Sequence, residues 1–218
     1  MVFRDRSHAG RLLAERLLPY AGRQDLVVFG LPRGGIVVAS EVADALNAPL
    51  DVFVVRKLGV PGHPETTMGA LASGGVRVLH DALAHQVQAA DPGAFDRVLE
   101  REQREVERRV RLYRGEGHPR RTLTGRITFV IDDGMTTGAT MEAAVEALHA
   151  LRPGWLVAAV PVAPHAVCQR LRHQVDELVC LLEPPDFQAE GDHYAWFEPV
   201  DDEEVQALLR SANVRQTA

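Results

Sequence analysis

The sequence predicts an α/β fold built on a doubly wound parallel sheet. Short apolar runs with strand character alternate with longer stretches of helical spacing along most of the chain, and this alternation is typical of a parallel sheet covered by helices on both faces. The 218 residues, 46% of them hydrophobic, can bury one substantial core. No repeat or linker divides the sequence, so we expect a single domain over residues 1–218.

Five apolar runs are the candidate strands. They are Leu26–Leu31, Leu50–Val55, Ile127–Ile131, Leu156–Val162 and Leu178–Leu182. The stretches with helical spacing are Ser7–Ala21, Gly35–Leu46, Thr137–Leu151, His165–His173 and a final helix over Asp201–Leu209. Ligands of such sheets bind beyond the carboxyl ends of the strands, so the turns that follow strands are the candidate sites.

The most informative segment joins the third apolar run to a helix. Val130–Thr140 reads Val-Ile-Asp-Asp-Gly-Met-Thr-Thr-Gly-Ala-Thr, which places two acids before a turn rich in glycine and hydroxyl groups. Free backbone N–H groups and the positive end of the helix dipole favour a phosphate at such a turn. Asp132 and Asp133 can accept hydrogen bonds from vicinal sugar hydroxyls and help to hold a divalent cation. The segment therefore predicts a ribose-phosphate cradle.

This segment resembles the phosphoribosyl pyrophosphate (PRPP) motif of the type I phosphoribosyltransferases (PRTases). The resemblance implies that the two acids are catalytic and bind the ribose 2′ and 3′ hydroxyls, and that the turn binds the 5′-phosphate. The implied PRPP-binding residues are Asp132, Asp133, Gly134, Met135, Thr136, Thr137, Gly138, Ala139 and Thr140. Mg²⁺ is the implied cofactor, and its contact with the two acids would be indirect or weak because pyrophosphate and ribose oxygens supply most of its ligands.

A second turn between a strand and a helix is Gly30-Leu-Pro-Arg-Gly-Gly35. An arginine among glycines suits an anion, because the backbone can expose its N–H groups while the guanidinium binds phosphate oxygens. By the same resemblance this is the pyrophosphate loop, with Arg33 as a catalytic group. Its pyrophosphate-binding residues would be Pro32, Arg33, Gly34 and Gly35. A plain turn is the alternative, and the sequence does not say which peptide bond here, if any, is cis.

Arg56 and Lys57 follow the second apolar run, at the expected ligand edge of the sheet. Adenine and orotate members of the family have a basic residue there, so the resemblance assigns both residues to pyrophosphate and Lys57 also to catalysis. Glycine and proline at positions 59, 61, 62 and 64 give the next segment the composition of a flexible lid loop, which could exclude water from a cationic centre. Glu65 could orient this lid or hold a cation. Ordinary surface charges on a solvated loop are the alternative.

A charged helix is predicted over Phe95–Tyr113, within an insertion between Asp81 and Pro119. Its Glu and Arg residues recur at i+3 and i+4 spacings, and its apolar stripe is narrow. A solvated helix that covers the sheet is the simpler interpretation, and a cover over the lid or a dimer contact is the alternative. The lid and the helical insertion together span about residues 57–119.

Aromatic residues concentrate in the tail after the last apolar run, Pro184–Phe197. We expect a small C-terminal hood over about residues 183–211, in which Phe187 and Trp196 are the weak candidates for stacking on a planar base. Packing of these rings between the last strand and the final helix is the alternative. The Arg-Lys-Leu-Gly segment, the Pro-Glu pair and this tail together resemble bacterial stand-alone PRTase-domain proteins of unassigned substrate.

Charge and composition limit the function classes. The chain has 24 basic and 30 acidic residues, a net charge of −6, which argues against nucleic-acid and anionic-membrane binding. No apolar run is long enough to span a bilayer, and a cytoplasmic location is expected. Cys168 and Cys180 are interpreted as buried thiols rather than a disulfide or zinc site. A homodimer is a family expectation only.

The resemblance predicts a pentosyltransferase that transfers ribose 5-phosphate from PRPP to a nitrogenous base or similar nucleophile and releases pyrophosphate, as part of nucleotide metabolism. Thr136 stands where 6-oxopurine members usually have an acid, and Ala158–Ala163 lacks their base-reading lysine. Hypoxanthine or guanine salvage is therefore disfavoured, and the acceptor stays open. The alternative is a non-catalytic sensor of PRPP or a nucleotide that acts through a protein partner.

Overall fold

Eight strands and seven α-helices form within the part of the chain that the structure describes. This computed structural model covers residues 2–115 and 122–217, apart from the side chains of Glu65 and residues 213–217. The strands are β1 Leu26–Gly30, β2 Leu50–Val52, β3 Val55–Val60, β4 His63–Ala72, β5 Val76–Leu79, β6 Ile127–Ile131, β7 Trp155–Val162 and β8 Glu177–Leu182. The helices are α1 Arg6–Leu17, α2 Gly34–Leu46, α3 Asp81–Ala90, α4 Pro92–Arg114, α5 Ala139–Ala150, α6 His165–Arg172 and α7 Asp202–Thr217.

A five-stranded parallel sheet is the centre of the fold. Its order is β2-β1-β6-β7-β8, and every neighbouring pair is parallel. Successive residues of a strand face opposite layers, so Val28 packs in the core that contains α1, α2 and α7, whereas Val27 and Phe29 pack with α5 and α6. Both faces are therefore covered, and every residue of β1 and β6 is buried. The predicted α/β fold with a doubly wound parallel sheet is confirmed.

The second apolar run differs from its prediction. It was expected to form one strand over Leu50–Val55, but β2 ends at Val52 and β3 begins at Val55 in a separate sheet. Arg56 and Lys57 therefore lie inside β3 and not at the end of a parallel strand. The third run, by contrast, forms β6 over the predicted residues.

The segment expected to be a flexible lid loop forms a β-hairpin. β3 and β4 pair antiparallel, with Val60 opposite His63, and β5 completes a three-stranded sheet. Gly62 adopts a φ of +82°, which allows Pro61 and Gly62 to reverse the chain in two residues. The other irregularity is a shift of register on either side of Gly59. Prolines and glycines here thus mark a turn and a bulge, and closure of the hairpin as a lid stays a prediction.

Helix α4 covers this small sheet. Asp91 caps its first turn by accepting a hydrogen bond from Ala94 N at 2.9 Å, so the helix starts before the predicted Phe95. Phe95, Val98 and Val106 are buried in the core shared with β3 and β4. This packing places α4 over the segment predicted to be the lid, as one of the two alternatives expected, whereas a dimer contact stays a prediction. Positions 116–121, near the end of the predicted insertion, lie outside the described residues.

The tail after β8 returns to the start of α1. Phe3 forms a parallel bridge with Tyr194, in which Phe3 N donates to His193 O at 2.8 Å and Ala195 N donates to Phe3 O at 2.8 Å. This bridge holds the predicted hood beside α1. Helix α7 then runs beyond the predicted Leu209, and its Val205 and Leu209 join the core with α2. Within the described ranges, no helix is both long and apolar enough to cross a membrane.

Candidate functional site

The two predicted turns come together at the carboxyl edge of the parallel sheet. β1 and β6 are neighbours, and Leu31 N donates a hydrogen bond to Ile131 O at 2.8 Å. A Cβ atom on Gly34 would overlap Asp133 Oδ2, and one on Gly35 would lie 2.7 Å from Ile131 O. Only glycine fits both positions, because the backbone of the predicted pyrophosphate loop passes directly against the acid pair.

Asp133 is held by two residues that the sequence did not indicate. Arg6 Nε lies 2.6 Å from Asp133 Oδ2, and the side chains are only 11% and 16% exposed. The Arg6 guanidinium also donates to Glu198 O at 2.7 Å and lies 3.8 Å from the centre of the Phe197 ring. Tyr194 donates its hydroxyl to Asp133 O at 2.6 Å. Arg6 thus binds Oδ2 of Asp133 and fixes the orientation of this carboxylate.

Asp132 carries a charge that its surroundings disfavour. Burial raises its pKa well above the usual range, and the neighbouring Asp133 charge raises it further. Asp133 N donates to Asp132 Oδ1 at 2.9 Å and partly offsets this effect. A pair of carboxylates in this state favours ligands that bring hydrogen-bond donors or positive charge, such as a ribose diol and Mg²⁺. The carboxylates of Asp132 and Asp133 are therefore suited to bind the implied Mg²⁺ weakly or indirectly.

A small pocket lies between the acids and the start of α5. Its volume is about 180 Å³, and it is lined by Asp132, Gly134, Met135, Thr136, Thr137, Gly138, Ala139, Thr140, Met141 and Glu190. The amino terminus of α5 opens on this pocket, so backbone N–H groups and the helix dipole favour an anion there. Nearly all the residues predicted to bind PRPP are thus gathered around one cavity.

Arg33 is exposed at the start of α2, and the peptide bond between Pro32 and Arg33 is cis. The sequence could not identify that bond. Within the described residues, Arg33 lines neither the small pocket beside Asp132 nor the cavity beside Lys57. At the contact between α4 and α7, burial and a hydrogen bond to Asp202 raise the pKa of Tyr113 to about 12, and the charges of Arg109 and then Arg33 oppose this shift.

Lys57 and Arg56 lie on opposite faces of β3. Lys57 is exposed and lines a cavity of about 820 Å³ with Thr67, His80 and Ala139. Ala139 also lines the smaller pocket, so the two cavities adjoin at the start of α5. Arg56 Nε instead lies 2.8 Å from Glu102 Oε2 on α4, and the Glu102 side chain is 6% exposed. The structure thus places Lys57 toward the site, whereas Arg56 is engaged by a buried acid. The Glu65 side chain lies outside the described residues.

The hood residues named as base contacts lie apart from the small pocket. Phe187 is stacked on His193 with ring centres 5.5 Å apart, and Trp196 is 66% exposed. Glu190 is the hood residue that lines the pocket, where its Oε1 accepts a hydrogen bond from Thr136 Oγ1 at 2.5 Å. No sequence signal identified Glu190, since a single acid in a tail has no motif around it. Base stacking by Phe187 and Trp196 stays a prediction.

The two cysteines lie on α6 and β8, away from this pocket. Both are free thiols, with Cys168 buried and Cys180 half-buried. The neighbouring Cys168 thiol and burial raise the pKa of Cys180. One carboxylate oxygen of Glu183 and both sulfur atoms lie within 4.8 Å of one another. The prediction of a buried thiol is confirmed for Cys168.

Known proteins with similar sequences support a common family. A family model described as "Phosphoribosyl transferase domain" matches residues 6–197. The chain is 45% identical over 212 residues to "Putative phosphoribosyl transferase Rv0571c" and to "Putative phosphoribosyl transferase MT0597", from two strains of Mycobacterium tuberculosis. These alignments cover 97% of this chain but 47% of each relative, so the chain spans about half the length of the curated relatives it matches.

A solved structure shares the fold over nearly the whole chain. TT1426 from Thermus thermophilus is 44% identical in sequence to this chain, and its crystal structure superposes on this structure with a TM-score of 0.85. The match covers 97% of this chain and 99% of that one. The architecture described above is therefore shared by a protein of similar length.

Proposed function

Because this chain belongs to the phosphoribosyl transferase domain family, we propose that it transfers the ribose 5-phosphate group of PRPP to a nitrogen nucleophile and releases pyrophosphate. One observation supports this function most directly. Asp132 and the amino terminus of α5 lie around a single pocket, Asp133 adjoins Asp132 in the chain, and the glycines of the Arg33 loop pack against the two acids. These groups match the three parts of PRPP: the ribose diol, the 5′-phosphate and the pyrophosphate.

The ribose is held by the acid pair. Arg6 fixes the orientation of the Asp133 carboxylate, and the Asp133 and Asp132 carboxylates accept hydrogen bonds from the 2′ and 3′ hydroxyls. The backbone N–H groups and hydroxyls of Thr136–Thr140 bind the 5′-phosphate at the positive end of α5. The ribose is then held at both ends, which fixes its C1 atom relative to the pyrophosphate loop.

The leaving group is neutralised by two exposed cations. They are Arg33 in the loop Pro32–Gly35 and Lys57 on β3. Mg²⁺, held weakly or indirectly by Asp132 and Asp133, supplies further positive charge to the departing oxygen when it is bound. Arg56 contributes to this cluster only if it exchanges its buried partner Glu102 for pyrophosphate.

The β3–β4 hairpin serves as the lid. It carries Lys57 next to the pocket, and its turn at Pro61 and Gly62 lies at its free end. Closure would shut water out while positive charge develops at C1, and electrostatic stabilisation is strongest in a dry site. The lid thus couples PRPP binding to the delivery of Lys57.

The test is release of pyrophosphate from PRPP and Mg²⁺ in the presence of a panel of purine, pyrimidine and other nitrogen bases. We expect release by the wild type with at least one base and at least a ~100-fold lower rate in Asp132→Asn/Asp133→Asn, an order-of-magnitude expectation for lost positioning. Glu203→Gln/Glu204→Gln, which changes an exposed pair of adjacent acids on α7, is the charge-matched control and should keep the wild-type rate. PRPP binding without release for every base would instead favour a sensor.

A further inference from the structure

Glu190 places a second carboxylate, besides that of Asp132, on the wall of the small pocket at the start of α5. It begins a short 3₁₀ turn, Glu190–His193, in the hood. Its Oε1 accepts the hydroxyl proton of Thr136 at 2.5 Å. A Cβ atom on Gly134 would lie 2.6 Å from Glu190 Cγ, so the hood touches the phosphate loop at two nearby positions. The Glu190 carboxylate therefore lies on the pocket wall beside the phosphate loop.

The backbone around Glu190 is fixed by the same residues that hold Asp133. Tyr194, which follows the 3₁₀ turn, donates its hydroxyl to Asp133 O at 2.6 Å and its N–H to Gly191 O at 3.1 Å. His193 O accepts the N–H of Phe3 at 2.8 Å. Glu190 is thus attached to a supported segment and not to a free loop, and such support is what a functional side chain needs.

The charge of Glu190 decides which part of a ligand it can serve. A carboxylate repels a phosphate, so it does not contribute to the binding of the 5′-phosphate or pyrophosphate. The ribose hydroxyls already face Asp132 and Asp133. Glu190 lines the pocket together with Asp132, so it adds a carboxylate beyond the two that we assign to the ribose diol. Of the two substrates, PRPP already has partners for its phosphates and its ribose. The acceptor is the substrate that Glu190 can bind.

We propose that Glu190 binds the acceptor base through a ring N–H group and takes up the proton that the base loses during transfer. This inference rests on the proposed function and names the acceptor class: a heterocycle in which one ring nitrogen attacks C1 with its lone pair while a different ring nitrogen carries an exchangeable N–H. Thr136 orients the carboxylate by its hydrogen bond. Glu190 is therefore a base-reading and proton-accepting residue that the family motif does not contain.

The step balances as a proton-coupled substitution. The nitrogen lone pair forms the N–C1 bond while the C1–O bond to pyrophosphate breaks and its electron pair leaves with pyrophosphate. The attacking ring becomes positively charged, and its N–H proton passes to a Glu190 oxygen. A carboxylate stabilises that charge before the proton moves, and general base catalysis of this kind contributes about 10² to 10⁴-fold.

The experiment compares Glu190→Gln with Asp192→Asn, which alters an exposed acid on the same 3₁₀ turn. PRPP affinity is measured by calorimetry, and kcat and KM for the base by pyrophosphate release. We expect Glu190→Gln to keep PRPP affinity within a factor of about three and to lose about 10²-fold in kcat/KM for the base. Glu190→Asp should recover part of the rate, and Asp192→Asn should match the wild type.

A second comparison uses the active base and its derivative methylated at the nitrogen that would lose the proton. The wild type should prefer the parent base, and Glu190→Gln should lose much of that preference. Wild-type kcat/KM in Glu190→Gln would overturn this inference while leaving the transferase function intact. Loss of PRPP affinity in Glu190→Gln would also overturn it, because Glu190 would then support the phosphate loop. Absence of pyrophosphate release by the wild type would instead overturn the transferase function itself.

Discussion

Arg6 and Asp133 form a partly buried ion pair, with 2.6 Å between Arg6 Nε and Asp133 Oδ2, although 127 residues separate them in the sequence. The pair links the start of α1 to the acid that we assign to the ribose. It also places positive charge beside two adjacent carboxylates, one of which has a raised pKa. Arg6 is therefore a positioning residue whose loss should affect both folding and binding.

We predict that Arg6→Met lowers the free energy of unfolding by roughly 3 kcal/mol, because it leaves a partly buried carboxylate unpaired. PRPP affinity should also fall, since Asp133 would no longer be held in place. Urea unfolding and calorimetry measure the two effects. Arg11→Met is the matched control, because the Arg11–Glu41 pair is 47% and 26% exposed and such pairs contribute at most about 1 kcal/mol. Equal stability losses in the two variants would contradict this role for Arg6.

Substitution of Asp132 should raise the free energy of unfolding, whereas substitution of Arg6 should lower it. Its pKa in the folded chain is raised by burial and by Asp133, so the folded state binds more protons than the unfolded chain between the two pKa values. Stability therefore falls as pH rises through that interval. Asp132→Asn removes the charge and can keep the oxygen that accepts Asp133 N–H. We expect this variant to be more stable than the wild type at neutral pH, by on the order of 1 kcal/mol.

The same variant should lose PRPP affinity, which would show that the acid is kept for function at a cost in stability. Urea unfolding from about pH 4 to about pH 8 should show the stability difference shrinking as Asp132 becomes protonated at low pH. Asp133→Asn, which breaks the Arg6 ion pair, should be destabilised at neutral pH instead. A stability gain in Asp133→Asn, or a stability loss in Asp132→Asn, would contradict the conclusion that the Asp132 charge destabilises the folded chain.

Gly34 tests the close approach of the two loops. A Cβ atom there would overlap Asp133 Oδ2 and lie 2.8 Å from Arg6 Nε, so Gly34→Ala must displace the ion pair. We expect at least a tenfold loss of PRPP affinity, about 1.4 kcal/mol, measured by calorimetry. Gly93→Ala in α4 is the control, because its added methyl group would meet only the flexible end of Arg97 at 3.1 Å and the Asp91 carboxylate at 3.4 Å. It should bind PRPP normally, and unimpaired binding by Gly34→Ala would argue against contact between the loops in solution.

Lys57 and Arg56 should separate catalysis from stability. Lys57→Met should lower kcat by about 10² to 10³-fold with a modest loss of stability, as expected when a group that stabilises the leaving charge is removed. Arg56→Met should mainly destabilise, because Glu102 is 6% exposed and Arg56 is one of its two arginine partners. Pyrophosphate release and urea unfolding provide the two readouts. A larger rate loss in Arg56→Met than in Lys57→Met would assign the pyrophosphate contact to Arg56.

The parts of the site that lie close together in the sequence could be predicted from it. Asp132, Asp133 and the turn up to Thr140 follow one buried strand and precede one helix. One short stretch of sequence therefore contains all the residues of the predicted ribose-phosphate cradle. The loop around Arg33 follows a neighbouring strand, and the parallel order brings the two turns to one edge. Local patterns and one topological rule therefore sufficed for these residues.

The remaining features depend on contacts that no local pattern encodes. The pairing of Phe3 with Tyr194 joins the segment before α1 to the hood, and from there Arg6 reaches Asp133 and Glu190 reaches the pocket. Apolar alternation along the β3–β4 hairpin is interrupted by a bulge at Gly59 and a turn at Gly62. The composition therefore resembled a loop, although buried Leu58 and Met68 stabilise a sheet. Long-range pairing decided both features.

The most direct measurement is calorimetric titration of PRPP with Mg²⁺ into the wild type and into Asp132→Asn/Asp133→Asn, with circular dichroism to establish that both are folded. We predict saturable binding at one site per chain in the wild type, and its loss in the double variant, because the ribose diol would lose its acceptors. No binding by the folded wild type, or equal binding by the double variant, would contradict the assignment of this pocket to PRPP.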